Sequence, residues 1–419
     1  MKRRMTTNNL AKIYVILTIF TCFSILYGWV PVLHSQAYLA VVSILFSILI
    51  VPRYFLTPQF LATFFYAAIV WINAQRGDGY CQDNVIMDGL MLCMVGSMSY
   101  YLMKSDDQKI KKLIVLSVVM IYIIQTVPSI VIYMTSSDSI RMMMEQISHN
   151  QTDIDWSVLH KLGVLDFYMI HSMPMLVPPL MMWLRNKNTS KKIKFLCLLC
   201  IVCMILLSIV YDVTTVLFLV VFGIITSLLI YPGQNKRTRQ RIVFATILIL
   251  AIMLNDTLQR GALSIAEKVT SGSTNEKIAE MRYNLIHDTE GGDMYNRTEY
   301  YALSLGTFFK SPIIGTDEVT QLGMHSSIFD RMGALGIVGS VPYILIIIIC
   351  ISLCWKSINK SRRWYYVLCT IGFVTLLIMK NVSRVELWLM MMVVAPAVLS
   401  LDMETFVSKR KKFLNAFMK

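Results

Sequence analysis

Charge is what this chain has least of. Only 15% of its 419 residues are Asp, Glu, Lys or Arg, while 56% are hydrophobic. A water-soluble core of that apolarity would need far more polar surface to cover it, which excludes a soluble globular enzyme. Histidine is scarce, with six in the chain, and acidic residues number 25 against 39 basic ones. No cluster of His, Cys, Asp and Glu has the spacing of a metal site, so no metal and no other cofactor is expected. Nine cysteines are present, but eight fall in apolar runs and only Cys81 lies outside them. A disulfide framework is therefore excluded. Cys197, Cys200 and Cys203 make a C-x-x-C-x-x-C run that suggests a metal. On an apolar helical segment with no His nearby they read instead as small packing residues.

Long apolar runs are what the chain has instead. Runs of about 20 residues recur from end to end, each long enough to cross a bilayer, and the mean hydropathy is +0.60. The class is all-α: a polytopic helical membrane protein with one integral membrane domain over 1–419. Twelve spans are expected, near 11–33, 37–51, 59–74, 85–103, 112–134, 163–184, 193–210, 213–231, 241–256, 333–355, 363–380 and 385–401. The second, third and ninth are short enough to tilt or dip. Only Tyr211-Asp212 separates the seventh from the eighth, so these form a tight hairpin or one broken segment. The first span follows Lys2-Arg3-Arg4, is long and lacks a small-x-small cleavage site, and so reads as a retained signal anchor.

The basic residues are segregated. Alternate short loops hold Lys104, Lys109, Lys111 and Lys112, then Arg185 to Lys194, then Lys236 to Arg241, then Lys356 to Arg363. With Arg53 and both tails, one side carries 27 of the 39 basic residues and only four acidic ones. The remainder of the chain carries 12 basic and 21 acidic residues. By the positive-inside rule both termini are cytoplasmic. Orientation and contact with anionic membrane lipid account for the net charge of +14, and nucleic acid is not an expected partner.

Two outer loops follow from that topology, 135–162 and 257–332. A structureless segment as long as the second is uncommon, so it should carry helices of its own. Ser273-x-x-Glu276 has the form of a capping box, and Ile278, Met281 and Leu285 then fall at helical spacing among charges. That pattern suits an amphipathic helix at the membrane surface, broken at Gly291-Gly292. A second helix is expected from Arg297 to Phe309, stopped by Pro312. Ser327-x-x-Asp330 repeats the capping pattern before the tenth span. This puts His325 at or just before a helix N-terminus, where partial positive charge attracts anions. A neutral His there is suited to accept a proton. Gly333, Gly336 and Gly339 would let the tenth span pack closely against a neighbour. Plainer alternatives stand beside this: a loop Arg is commonly solvated or paired, and Glu299 is close to Arg297; a loop His is commonly a surface residue. Arg331 and Arg384, near the membrane surface, are candidate lipid-phosphate ligands. Asp88, Asp166, His171 and Asp212 are the ionisable groups in or beside spans, and Asp166 and Asp212 read more simply as interfacial.

The order of these features resembles the O-antigen polymerase and O-antigen ligase superfamily. The resemblance rests on twelve spans, a large outer loop between the ninth and tenth, and a run of about forty residues. Within it, Arg297, Ser311-Pro312-Ile313-Ile314-Gly315, His325-Ser326 and Gly336-Ile337-Val338-Gly339 match the family pattern in order. The resemblance implies a glycosyltransferase of the bacterial cytoplasmic (inner) membrane that uses a polyprenyl-pyrophosphate-linked glycan at the outer face. Arg297 would bind the pyrophosphate and His325 would take the proton of the attacking hydroxyl. Many relatives also carry a Ser-Arg pair between spans seven and eight. Here that place reads Ser208-Ile209-Val210-Tyr211-Asp212, so a second cation must come from Arg331, Arg384 or Arg282. Tyr301, with Tyr283, Tyr295 and Tyr300, could stack on sugars or anchor at the interface.

Within the superfamily, polymerisation of repeat units into surface polysaccharide is the preferred expectation, with a chain-length regulator protein as a further partner. Ligation of glycan to lipid A-core is the alternative. A lipid-linked glycan flippase or transporter is the rival of a different class. It would be expected to show two similar six-span halves, whereas here the long loop follows the ninth span.

Overall fold

The computed structural model describes residues 2–22, 36–76, 80–81, 87–105, 107–135, 163–165, 167–211, 213–230, 293–316 and 318–401, with isolated positions between 237 and 283. At a few helix positions, Asp88 and Arg297 among them, the backbone alone is described. Apart from those isolated positions, the expected ninth span and the helix after Ser273 lie outside the described residues, as do Ser273 itself, the outer loop between Thr135 and Gly163, Gly291-Gly292, Asp166 and Asp212.

Every element among the described residues is helical. The helices are α1 (Lys2–Cys22), α2 (Gln36–Ile50), α3 (Pro58–Ala74), α4 (Leu92–Ser105), α5 (Gln108–Thr135), α6 (Phe167–Arg185) and α7 (Lys191–Val210). They continue as α8 (Thr214–Leu229), α9 (Asp293–Lys310), α10 (Ser327–Ser357), α11 (Arg363–Met379) and α12 (Val385–Ser400). A π turn at Met390–Val394 interrupts α12, and another at Met87–Met91 leads into α4. Local chemistry sets several starts. Thr57 caps α3 by accepting from the Phe60 N–H at 3.2 Å, with Pro58 in its first turn. Asp107 Oδ1 accepts from the N–H groups of Lys109 and Ile110 and opens α5. Helices α7 and α8 turn at Tyr211, whose hydroxyl donates to Leu165 O and accepts from Ser129 Oγ at 3.3 Å.

Two helices form the centre. Residues 169–183 of α6 and 385–399 of α12 are buried without a break, as expected for helices apolar all round. Around them, α6 packs on α7, α8 and α11, and α12 on α4, α5 and α11. Helices α3 and α10 pack side by side, and α9 lies on α10. The shell helices turn large apolar side chains outward: Leu49 in α2, Phe65 in α3, Ile124 in α5, Phe195 in α7, Leu228 in α8 and Ile348 in α10. In water such a surface would be unfavourable by about 25 cal/mol per Å2, whereas acyl chains solvate it. Among the described residues four helices are long and apolar enough to cross a membrane: Gln108–Thr135, Lys191–Val210, Ser327–Ser357 and Lys360–Met379. Helices Asn9–Ile19, Tyr38–Ile50, Pro58–Ala74, Thr215–Leu229 and Val385–Ser400 are apolar but shorter.

The charged loops separate by end. Arg362 Nη1 donates to Leu399 O and Leu401 O, at 2.9 and 2.8 Å, capping the last turn of α12. Arg185 does the same for the end of α8, through Ser227 O and Ile230 O, and also interacts with Tyr365 in the first turn of α11. Lys111 shares a recess with Arg362. Cations therefore gather where helix C-termini present partial negative charge. Helix α9, the start of α10 and the α11–α12 connection make the other end.

Candidate functional site

The site is built where α9, the segment 311–326 and the head of α10 meet. Helix α9 begins at Asp293, a turn earlier than the expected start at Arg297. Arg297 therefore sits in the second turn instead of at the head. Its backbone position is one turn before Tyr300 and Tyr301, on the same stripe of the helix; its side chain lies outside the described residues. The helix stops at Lys310, ahead of Pro312, as the sequence predicts.

The cap of α10 falls one residue before the expected Ser327. Ser326 is the N-cap, and its Oγ accepts from Phe329 N at 3.2 Å. Asp330 closes the arrangement from the first turn. Its Oδ2 accepts from Ser326 N at 3.0 Å, and its Oδ1 accepts from Ser304 Oγ of α9 at 2.7 Å. Ser304 Oγ in turn accepts from Gly323 N at 2.9 Å. One buried carboxylate thus ties α9, the loop and α10 together. Ser327 does something else: its Oγ donates to Lys380 O at 3.0 Å and accepts from Val382 N and Ser383 N at 2.9 and 3.0 Å. This brings the α11–α12 connection against the head of α10.

Gly336 has φ 57 and ψ −159 inside α10, a region that only glycine adopts readily. The helix breaks there, and its freed N–H groups are taken by the preceding turn. Ile337 N donates to Pro312 O at 2.8 Å and Val338 N to Ile313 O at 3.1 Å, while Gly333 O accepts from Thr316 N at 3.0 Å. Gly315, with φ 68, lies directly on Ala334. The expected close packing of a glycine stripe against a neighbouring span is thus a different device at Gly336. Two sequence segments that looked separate are one backbone lock.

His325 is held by this frame. It is half-buried, its Nδ1 lies 2.9 Å from Gly323 O, and its ring meets that of Tyr300 at 4.3 Å between centroids, tilted by 34°. Met324, immediately before it, has φ 55, the one described non-glycine residue with positive φ. Backbone strain at a residue that aims a titratable side chain is characteristic of functional sites.

The candidate cations are placed differently from one another. Arg384 is half-buried at the start of α12, with its guanidinium over the Tyr168 ring at 4.5 Å and Nη2 donating to the Tyr168 hydroxyl at 3.4 Å. It follows the segment that Ser327 grips, so Arg384 and His325 are carried by one junction. Arg331 is 1% exposed. Its Nε donates to the Tyr66 hydroxyl at 2.6 Å, its Nη1 to Ser327 O at 3.0 Å, and the Tyr343 ring lies 4.7 Å from it. In this conformation Arg331 joins α10 to α3 and faces protein groups. Arg282 pairs with Glu267 at 2.8 Å. Tyr301 packs on Phe329, with ring centroids 5.6 Å apart, and donates to Met379 O at 3.3 Å, which fastens α9 to the end of α11. His171 is buried within α6. The Ser304–Asp330 pair and the ring contact of Tyr300 with His325 carry no sequence signal, because each depends on two separate segments meeting; nor does the positive φ of Met324, a residue type with no preference for that region.

Among the described residues no group of three or more His, Cys, Asp or Glu could hold a metal ion. Compared with protein-family models, curated proteins and solved structures, the chain has no match.

Proposed function

We propose that the chain is a twelve-span glycosyltransferase of a bacterial cytoplasmic membrane, both termini inside, that polymerises polyprenyl-pyrophosphate-linked repeat units at the outer face. The observation that carries this reading is the hydrogen bond between His325 Nδ1 and Gly323 O. A carbonyl oxygen only accepts, so Nδ1 carries the hydrogen and the neutral ring keeps its lone pair on Nε2. A half-buried base with one fixed tautomer is suited to deprotonating a sugar hydroxyl. That hydroxyl oxygen bonds to the donor's anomeric carbon as the bond from that carbon to the pyrophosphate oxygen breaks. The proton goes to Nε2, and polyprenyl pyrophosphate leaves with the electron pair. Its growing negative charge needs fixed cations. Arg297 in α9 and Arg384, half-buried on the same junction with its guanidinium over Tyr168, are assigned that role; Arg331 is 1% exposed among Tyr66, Ser327 and Tyr343, and Arg282 pairs with Glu267.

A deletion strain complemented with His325→Ala tests the reading through the surface glycan ladder. The expected outcome is normal insertion of the variant and core capped with a single repeat unit, a loss of about 10²-fold or more in chain extension. A normal ladder would remove His325 from the mechanism. Complete loss of surface glycan with intact lipid-linked polymer would instead indicate the ligase. Single units trapped on the inner leaflet would indicate a flippase.

A further inference from the structure

At the basic end of the bundle, opposite the His325 junction, lies a recess of about 540 Å3. The end of α4, the first turn of α5, the α10–α11 connection and the last turns of α12 enclose it. Lys111 and Arg362 line it, and none of its described lining residues is acidic. Lys111 is 5% exposed, whereas Lys109 beside it is exposed. A lysine in the first turn of a helix ordinarily reaches water; this one is turned into the bundle. Arg362 caps the carbonyls at the end of α12, offsetting the partial negative charge that would repel an anion there. Ser99 and Asn359 add hydrogen-bonding groups, and Met103 and Met392 form an apolar flank.

Two cations, neutral donors and an apolar wall match a phosphate joined to a hydrocarbon, and the volume is in the range of small-molecule sites, about 300–1,000 Å3. We propose that this recess binds the phosphate of an anionic amphiphile, a phospholipid diester of the leaflet at that end. Lys111 and Arg362 contact the phosphate, and the methionine wall accommodates the start of the acyl region. The proposal needs neither His325 nor α9 and stands apart from the glycosyl-transfer reading.

The test is native mass spectrometry and thermal unfolding of the delipidated full chain with dioleoylphosphatidylglycerol, dioleoylphosphatidylcholine and inorganic phosphate. The phosphatidylglycerol adduct is expected to persist and to raise the melting temperature. Lys111→Gln should lower its occupancy about fivefold, Lys111→Arg should restore it, and Lys109→Gln, an equal charge loss at an exposed site, should not change it. Met103→Trp, which narrows the recess without altering charge, should lower occupancy as well and serves if Lys111→Gln fails to fold. Competition by inorganic phosphate would make free phosphate a sufficient ligand; no competition would assign the site to lipid. Equal occupancy in Lys111→Gln and Lys109→Gln, or equal binding of phosphatidylcholine, would overturn the proposal. So would phosphatidylglycerol binding seen only in Asp402→Asn/Glu404→Gln, which would give the recess to the chain's own tail.

Discussion

Met324 holds φ 55 immediately before His325 at the α9–α10 junction. An L residue in that region costs about 1–2 kcal/mol, and Asn tolerates it best after Gly. Met324→Asn should therefore raise stability by about 1 kcal/mol, read as a melting-temperature increase in detergent. Met324→Val should lower it by a similar amount. Equal melting temperatures for the two variants would mean the strain is not carried there. Arg331 poses a sharper choice at the same scale. Its contacts with Tyr66, Ser327 O and Tyr343 give it a packing role. Arg331→Met should then cost about 2–4 kcal/mol, and Tyr66→Phe about 1 kcal/mol. A variant with unchanged melting temperature but a raised KM for lipid-linked donor would make Arg331 a substrate ligand instead.

Among the elements, α10 decides the geometry. Its break at Gly336 creates two unpaired N–H groups, and the 311–315 turn supplies the carbonyls that satisfy them. A Cβ at Gly336 would run into Ile313 O and would be strained by the positive φ. Gly336→Ala is expected to cost about 2–3 kcal/mol or more and to release the Ile337 and Val338 amides to faster hydrogen exchange. Gly306, in the middle of α9, has nothing within 4 Å of a built Cβ. Gly306→Ala should therefore be neutral or stabilising by about 1 kcal/mol. If the two variants behave alike, the lock is not holding the junction.

At the scale of the whole molecule, charge and apolarity settle different questions. The apolar outer faces of the shell helices call for lipid around the bundle, and the collected Arg and Lys residues mark one end. In the proposed orientation that end faces the cytoplasm, as the positive-inside rule would have it. The native cysteines are all buried or half-buried, so they leave a low background for thiol labelling. Glu318→Cys, at the His325 end, should react with a membrane-impermeant maleimide in intact cells. Asn359→Cys, at the basic end, should react only after permeabilisation. The reverse pattern would invert the topology and remove His325 from the outer face.

Much of this was legible before any fold was in view. Helical class, apolar segments and the stop before Pro312 follow from hydropathy and from proline's missing N–H, both local properties. Cap position was legible to within a residue: serine preference pointed to Ser327, while Ser326 takes the role because Ser327 is drawn to the α11–α12 connection. The sequence alone also named His325 as a candidate, from its place just before a helix start, and Arg331 and Arg384, from their place near the membrane surface. Only the tertiary structure decided what each of them touches. Gly336 became a helix break and not a packing stripe because Pro312 and Ile313 arrive from another segment with free carbonyls. Arg331 turned inward because two tyrosines, more than 240 residues away in α3 and the segment after it, surround it together with Tyr343. Burial and pairing are properties of neighbours brought together by packing, and a linear pattern does not carry them.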